Sequence, residues 1–232
     1  MKYLSFICSF ALFLCNDIKP QSNKKEIQRN IDLQKEKFEK IAKSIWTWAE
    51  VGYQEEKSTA LLKKTLSDEG FDIRSGVAEI PTAFVAEYGS GFPVIGILAE
   101  FDALPGISQS VATKRVPIED NNAGHACGHH LFGTASTAAA IAIKDYLKSS
   151  NQKGTIRLYG TPAEEGGSGK VYMVRAGLFD DVDFVLDWHA SDRNAANPGT
   201  SMANRSAKFK FYGYSAHAAG APEKARSSLD AV

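Results

Sequence analysis

Three histidines and a cysteine fall within the six residues His125-Ala126-Cys127-Gly128-His129-His130. All five histidines of the chain lie from His125 onward, at 125, 129, 130, 189 and 217. An adjacent carboxylate pair, Glu164-Glu165, closes an apolar run. Thiolate, imidazole and carboxylate together are the donors of a hydrolytic centre built on divalent metal, and a solvated surface has no need of them in this order.

Each residue carries a functional and a plainer reading. Cys127 and His129 sit two apart around Gly128, and glycine lets the backbone fold so that both side chains reach one point. The pair suits a zinc-class ion, with the thiolate as terminal or bridging ligand; the plainer reading is a buried cysteine beside solvated histidines. Cys127 with His189 or His217 would also spell the nucleophile and base of a cysteine protease. Several imidazoles and acids around one thiol look more like ligands than a dyad. Of Glu164 and Glu165, one would bind metal while its neighbour takes a proton from water, and Gly166-Gly167-Ser168-Gly169 behind them leaves room for substrate. Acids at a helix start are the alternative. His189, just past a strand, reads as a ligand or as a satisfied core histidine. Asp102, ahead of Ala103-Leu104-Pro105-Gly106, would orient a liganding group, or cap its loop. His217 could help only if its domain, or a partner's, folds over the site.

The elements that must position these groups alternate. Residues 24–50 have helical spacing of Ile27, Ile31, Phe38, Ile41 and Ile45, and 56–69 place Leu61, Leu62 and Leu66 on one face. Strands are expected over 82–88, 93–99, 155–159 and 182–186, with a turn at 89–91 and helices over 133–147 and 169–175. The run 93–99 is almost wholly apolar, as in a buried parallel strand. The expected fold class is α/β, a mainly parallel sheet flanked by helices. Such sheets carry sites beyond the C-terminal ends of their strands. Glu100-Phe101-Asp102, Glu164-Glu165 and Asp187-Trp188-His189 all fall there, distant in sequence and expected at one rim. Asn197-Pro198-Gly199 breaks the chain, so a boundary is expected near residue 200, followed by a strand over 206–212 and a helix over 221–232.

Basic and acidic residues balance at 27 each, and no basic run offers a nucleic-acid surface. Met1-Lys2 and the apolar residues 4–15 read as an export signal within residues 1–20, too short to span a membrane. The expectation is a periplasmic or extracellular protein, with Cys15 as an alternative lipid anchor. In an oxidising place, Cys127 would be a free thiol that a bound metal protects.

The stretches AEFDALPG (99–106), GHACGHHLFG (124–133), GTPAEEGGSGK (160–170), DWHA (187–190) and YSAHAAGAPEKARSSLDAV (214–232) resemble the zinc aminoacylase/carboxypeptidase family of metallopeptidases, in its amidohydrolase branch. The resemblance covers about residues 50 to 232, in family order. It implies a zinc-peptidase-like catalytic domain over 24–200 and, over 201–232, the start of an inserted α+β dimerisation or lid domain. It implies two divalent metal ions: zinc fits the thiolate, while manganese, cobalt or nickel could occupy such a site. Cys127 would bridge them, with His129, Glu165 and His189 as further ligands. Glu164 would be the general base and acid, Asp102 the carboxylate near the metal histidine. His217 would polarise the scissile carbonyl, often across a homodimer. The implied substrates are small N-acyl or aminoacyl amino acids and dipeptides, p-aminobenzoyl-glutamate-like amides among them. Arg205 and Arg226 are candidates to hold a substrate carboxylate. Many members have Asp where this chain has His130, and the aminobenzoyl-glutamate-like subgroup replaces it too. The family's last metal histidine has no counterpart here, so the chain reads as an N-terminal fragment; a noncatalytic metal-binding remnant or partner subunit is the alternative.

Overall fold

A computed structural model describes residues 20–232 apart from 119, 121, 197, 198 and 201, with side chains from Asn23 onward. The export segment expected over 1–20 therefore falls outside the described residues, Pro20 excepted. Helices and strands follow in the order α1 (Pro20–Leu33), α2 (Lys35–Trp48), α3 (Glu56–Asp68), β1 (Asp72–Ser75), β2 (Phe84–Ser90), β3 (Val94–Ala99), β4 (Leu104–Pro105), β5 (Ala123–Gly124), α4 (His129–Ser150), β6 (Gly154–Gly160), α5 (Glu164–Gly167), α6 (Gly169–Arg175) and β7 (Phe184–Leu186).

Five strands form one sheet in the order β1-β2-β6-β3-β7. β3 pairs in parallel with β6 and β7, while β2 runs antiparallel to both β1 and β6. The sheet is thus mixed: β2 alone is reversed, and the other four point one way. The period of two along a strand sends neighbouring residues to opposite faces. Phe84 and Ala86 of β2, with Ile156 and Leu158 of β6, enter a core shared with Phe38, Ile41 and Ile45 of α2, Leu62 and Leu66 of α3 and Ile141 of α4. Val85 and Tyr159 enter a smaller core on the other face with Ile80, Ala83 and Met173. Every residue of β6 is buried. Truncating a core leucine such as Leu158 to alanine should cost about 2–5 kcal/mol. β7 is exposed along its length.

The helix expected over 24–50 is two helices, broken at Gln34, whose φ of −100° and ψ of 8° leave the helical range. Leu33 is exposed at the break, and both segments pack on α4, α2 also on α3. β2 continues through Ser90, into the expected turn, because Gly89 and Ser90 still pair with Thr155 and Gly154. α4 begins four residues earlier than expected, directly after Gly128.

The chain divides into two units, one running to Ala190 and one covering Ser191–Val232. The strand expected over 206–212 is absent among the described residues: Phe209, Phe211 and Tyr212 are exposed, and the unit has one isolated bridge, Tyr214 to Arg226. The helix expected over 221–232 is reduced to the 3-10 turns Pro222–Lys224 and Leu229–Ala231. Alternating apolar residues make a strand only against a partner, and so short a helix is marginal in water without a face to bury. Among the described residues no helix is long and apolar enough to cross a membrane.

Candidate metal centre

Three segments meet beyond the C-terminal ends of β3, β6 and β7. Glu100 and Asp102 follow β3, the turn Glu164–Gly167 follows β6, and His189 follows β7. The fourth contribution is the start of α4. Gly128 has φ +99°, a conformation that glycine adopts without strain, and this links Cys127 to His129 at the first position of the helix. α4 can approach because Gly133 lacks a side chain: a Cβ there would lie 2.6 Å from the Glu100 carbonyl oxygen.

Two imidazoles are oriented in the same way. The His129 Nδ1–H faces both the Asp102 carboxylate at 2.9 Å and the Asp102 carbonyl at 3.0 Å. The His189 Nδ1–H donates to the Ala190 carbonyl at 3.0 Å. Each ring is left with an Nε2 lone pair, the tautomer that an oxygen partner on Nδ1 enforces for metal binding. His189 Nε2 lies 3.2 Å from Cys127 Sγ. His129 Nε2 lies 3.2 Å from Glu100 Oε2 and 3.8 Å from oxygens of Glu164 and Glu165. Donor atoms of Cys127, His129 and His189 fall within 4.8 Å of one another, as do those of His129, Glu164 and Glu165.

The acid pair sits on a constrained turn. Ala163 before it and Ser168 after it have φ of 57° and 56°, left-handed values that cost a side-chain-bearing residue about 1 kcal/mol or more. Three contacts hold the turn: the Ala163 N–H donates to the buried Glu55 carboxylate at 2.8 Å, the Tyr53 hydroxyl donates to the Gly167 carbonyl at 2.5 Å, and the Glu165 N–H donates to Asp102 Oδ2 at 3.0 Å. Asp102 therefore braces His129 with one oxygen and Glu165 with the other. Glu164 is the more open of the pair, its side chain 43% exposed against 18% for Glu165.

The electrostatics favour a cation. Burial pushes the Cys127 thiol up to about 11, and the Glu165, Glu164 and Glu100 charges act in the same direction. A protease nucleophile needs the opposite shift, so the 3.2 Å contact with His189 does not make a thiolate–imidazole dyad. Burial works against a charged His129, but the Asp102 hydrogen bond and the Glu100 and Glu165 charges outweigh it and raise its proton affinity. Burial raises Glu165 as well. It also acts on Asp102, where the His129 and Glu165 hydrogen bonds overcome it and hold the carboxyl low. His129 Nε2 and Glu165 Oε1 are both buried without a hydrogen-bond partner. Buried acceptors without partners are costly, and bound cations would remove that cost. The donor set of thiolate, imidazole and carboxylate fits zinc-class chemistry.

Of the residues singled out from sequence, Cys127, His129, Glu164, Glu165, His189 and Asp102 come together. His217 lies in the other unit, where its Nδ1 accepts from the Gly220 N–H at 2.9 Å. Arg205 and Arg226 belong to that unit too: Arg205 is exposed, and Arg226 lies over the Tyr214 ring at 5.1 Å. His130 is half-buried with its ring 5.1 Å from that of His125. The sequence pattern assigns no role to Glu100, Lys170, Glu55 or Tyr53. Glu100 is within its reach, since residues two apart in extended chain share a face and Asp102 already stands out.

A sheet with helices on it and a donor-lined rim at its strand ends is the architecture of a metallopeptidase catalytic domain. The family description "Peptidase family M20/M25/M40" matches residues 96–225, more than half of the chain, and the chain belongs to that family. It is 44% identical over 203 residues to a subunit of the p-aminobenzoyl-glutamate hydrolase of Escherichia coli K12, covering 87% of this chain and 42% of that protein. It is 30% identical over 221 residues to the Xaa-Arg dipeptidase of Mus musculus, covering 90% of this chain and 47% of the relative. A Bacillus subtilis crystal structure described as a dinuclear metal-binding peptidase of the M20 family superposes with a TM-score of 0.59 at 25% identity, over 67% of this chain and 42% of that one. The chain thus spans less than half the length of these relatives.

Proposed function

We propose that the chain carries most of the metal centre of an amidohydrolase that cleaves small N-acyl or aminoacyl amino acids or dipeptides, p-aminobenzoyl-glutamate-like amides among them. One observation carries this reading: five candidate donors from three segments, Cys127, His129, Glu164, Glu165 and His189, converge in two overlapping groups on His129. Cys127, His129, Glu165 and His189 would hold two divalent ions, zinc being the best match to the thiolate. When bound, such ions make a water acidic enough to lose its proton near neutrality and polarise a carbonyl.

The remaining work falls to side chains. Glu164 is the open member of the acid pair and stands 3.8 Å from His129 Nε2, at the edge of the centre. It takes the proton of the attacking water and returns it to the leaving amine. Asp102 keeps His129 in the tautomer that leaves Nε2 free, and steadies Glu165 through its amide. Gly166 borders open space beside the pair, where a substrate would fit, whereas Gly167 and Gly169 are packed against the Tyr53 ring and the Pro162 carbonyl. His217 is kept as the group that polarises the scissile carbonyl, within a homodimer; that role, the export signal and the inserted domain rest on the resemblance alone.

The test uses the full-length protein. Metal content and turnover of p-aminobenzoyl-glutamate are measured for wild type and Glu164→Gln. Two ions per chain, with turnover abolished and metal retained in the variant, support the reading. Wild-type protein that binds metal yet cleaves no small amide replaces it with the noncatalytic remnant.

A further inference from the structure

Glu100 is a buried acid to which the reaction above gives no part. It follows β3 directly, 5% exposed, with its carbonyl packed against Gly133 of α4. One carboxylate oxygen, Oε1, is bound by the Lys170 ammonium, and the other stands 3.2 Å from His129 Nε2. That second contact is peculiar. The His129 Nδ1–H is engaged by Asp102, and the buried Nε2 makes no hydrogen bond to the carboxylate oxygen it faces. Lys170 neutralises the far side of the carboxylate and leaves the near side facing the ring.

The separation itself is informative. Metal–nitrogen and metal–oxygen bonds of about 2.0–2.2 Å put neighbouring donors of one octahedral or tetrahedral ion roughly 3.0–3.6 Å apart. The Glu100–His129 distance of 3.2 Å falls inside that range, whereas the 3.8 Å distances from His129 to Glu164 and Glu165 fall outside it. We propose that Glu100 is a further donor to the metal centre, sharing an ion with His129, and that Lys170 is the positioning residue that fixes its carboxylate there. Lys170 lies in the first turn of α6, just behind the acid-pair turn, so it ties the end of β3 to the segment that carries Glu164 and Glu165.

The inference rests on the metal-centre reading above, and the experiment separates the two. Full-length protein is stripped of metal and loaded with cobalt(II). Affinity is read by competition with a chromophoric chelator, and ligand geometry by visible absorption. In Glu100→Gln one ion should weaken by at least about tenfold. The other ion and the thiolate-to-cobalt band should persist while the ligand-field bands change. Lys170→Met should weaken the same ion by a smaller factor. Wild-type affinity and an unchanged spectrum in Glu100→Gln overturn the proposal. Should that variant fail to fold, Glu100→Asp, which keeps the charge and retracts it by one methylene, is read by the same criteria. Wild-type protein that binds no ion sinks the whole metal reading. Two ions without cleavage of any small amide sink only the reaction and leave Glu100 as a donor.

Discussion

His125 and His129 stand four residues apart in one motif and meet opposite surroundings. His129 is ringed by Asp102, Glu100 and Glu165, keeps its Nε2 lone pair free, and holds a proton more strongly than an ordinary imidazole. The His125 Nε2–H donates to the Ile45 carbonyl at 3.1 Å. Its ring packs beside His130 and helps line a hollow of about 610 Å³ with Trp46, Ile107 and Val111. Burial, aided by His130, pulls its pKa down to about 4. Identical side chains thus become an imidazole ringed by acids and a neutral packing group. Carboxylates delivered from β3 and from the turn after β6 make the difference; the motif itself does not.

The largest effect should come on the acid-lined side. Glu164→Gln should cut turnover by about 10²–10⁴-fold while leaving bound metal unchanged. Activity within tenfold of wild type would remove Glu164 as the proton carrier. Next, Asp102→Asn should weaken metal binding by about 10–100-fold, because its single carboxamide oxygen cannot accept from both His129 and the Glu165 amide. His125→Gln should leave metal affinity within about threefold. Equal losses in a chelator titration of these two variants would erase the contrast between the histidines.

A third effect belongs to His125 alone. Its folded pKa lies below the unfolded value of about 6.5, so the unfolded chain binds the extra proton first. Metal-free protein should therefore keep this contribution at neutral pH and lose stability as pH falls from about 6.5 toward 4, by a ceiling on the order of 3 kcal/mol. Denaturant melts across that window should show a flatter profile for His125→Gln; a slope equal to that of wild type would contradict the assignment. The smallest effect is expected at Ala163, where substitution by glycine removes left-handed strain and should add about 1 kcal/mol to stability in thermal unfolding.

Much of this arrangement is legible in the sequence. The run ending at Ala99 reads as a buried strand because it is apolar on both faces, and the acids that follow it read as a rim because parallel strands end together. Cys127, Gly128 and His129 announce themselves by type and spacing. Glu100 is placed at the rim by the same strand end, but what it faces there is not legible; the Lys170 contact and the fold of α4 decide that. Residues 206–212 fail in the other direction. Their alternation is real, but Phe209 and Phe211 are exposed, and pattern without a pairing strand does not fix a backbone.

The left-handed residues on either side of Glu164 and Glu165 act as a loaded spring, and Glu55 is its latch. The latch lies outside the reacting groups, at the threshold of α3, so drift at position 55 would let the turn uncoil without touching a single donor atom. A gene carrying every metal-facing residue intact could lose its chemistry there, and a catalogue of donor atoms would not reveal why.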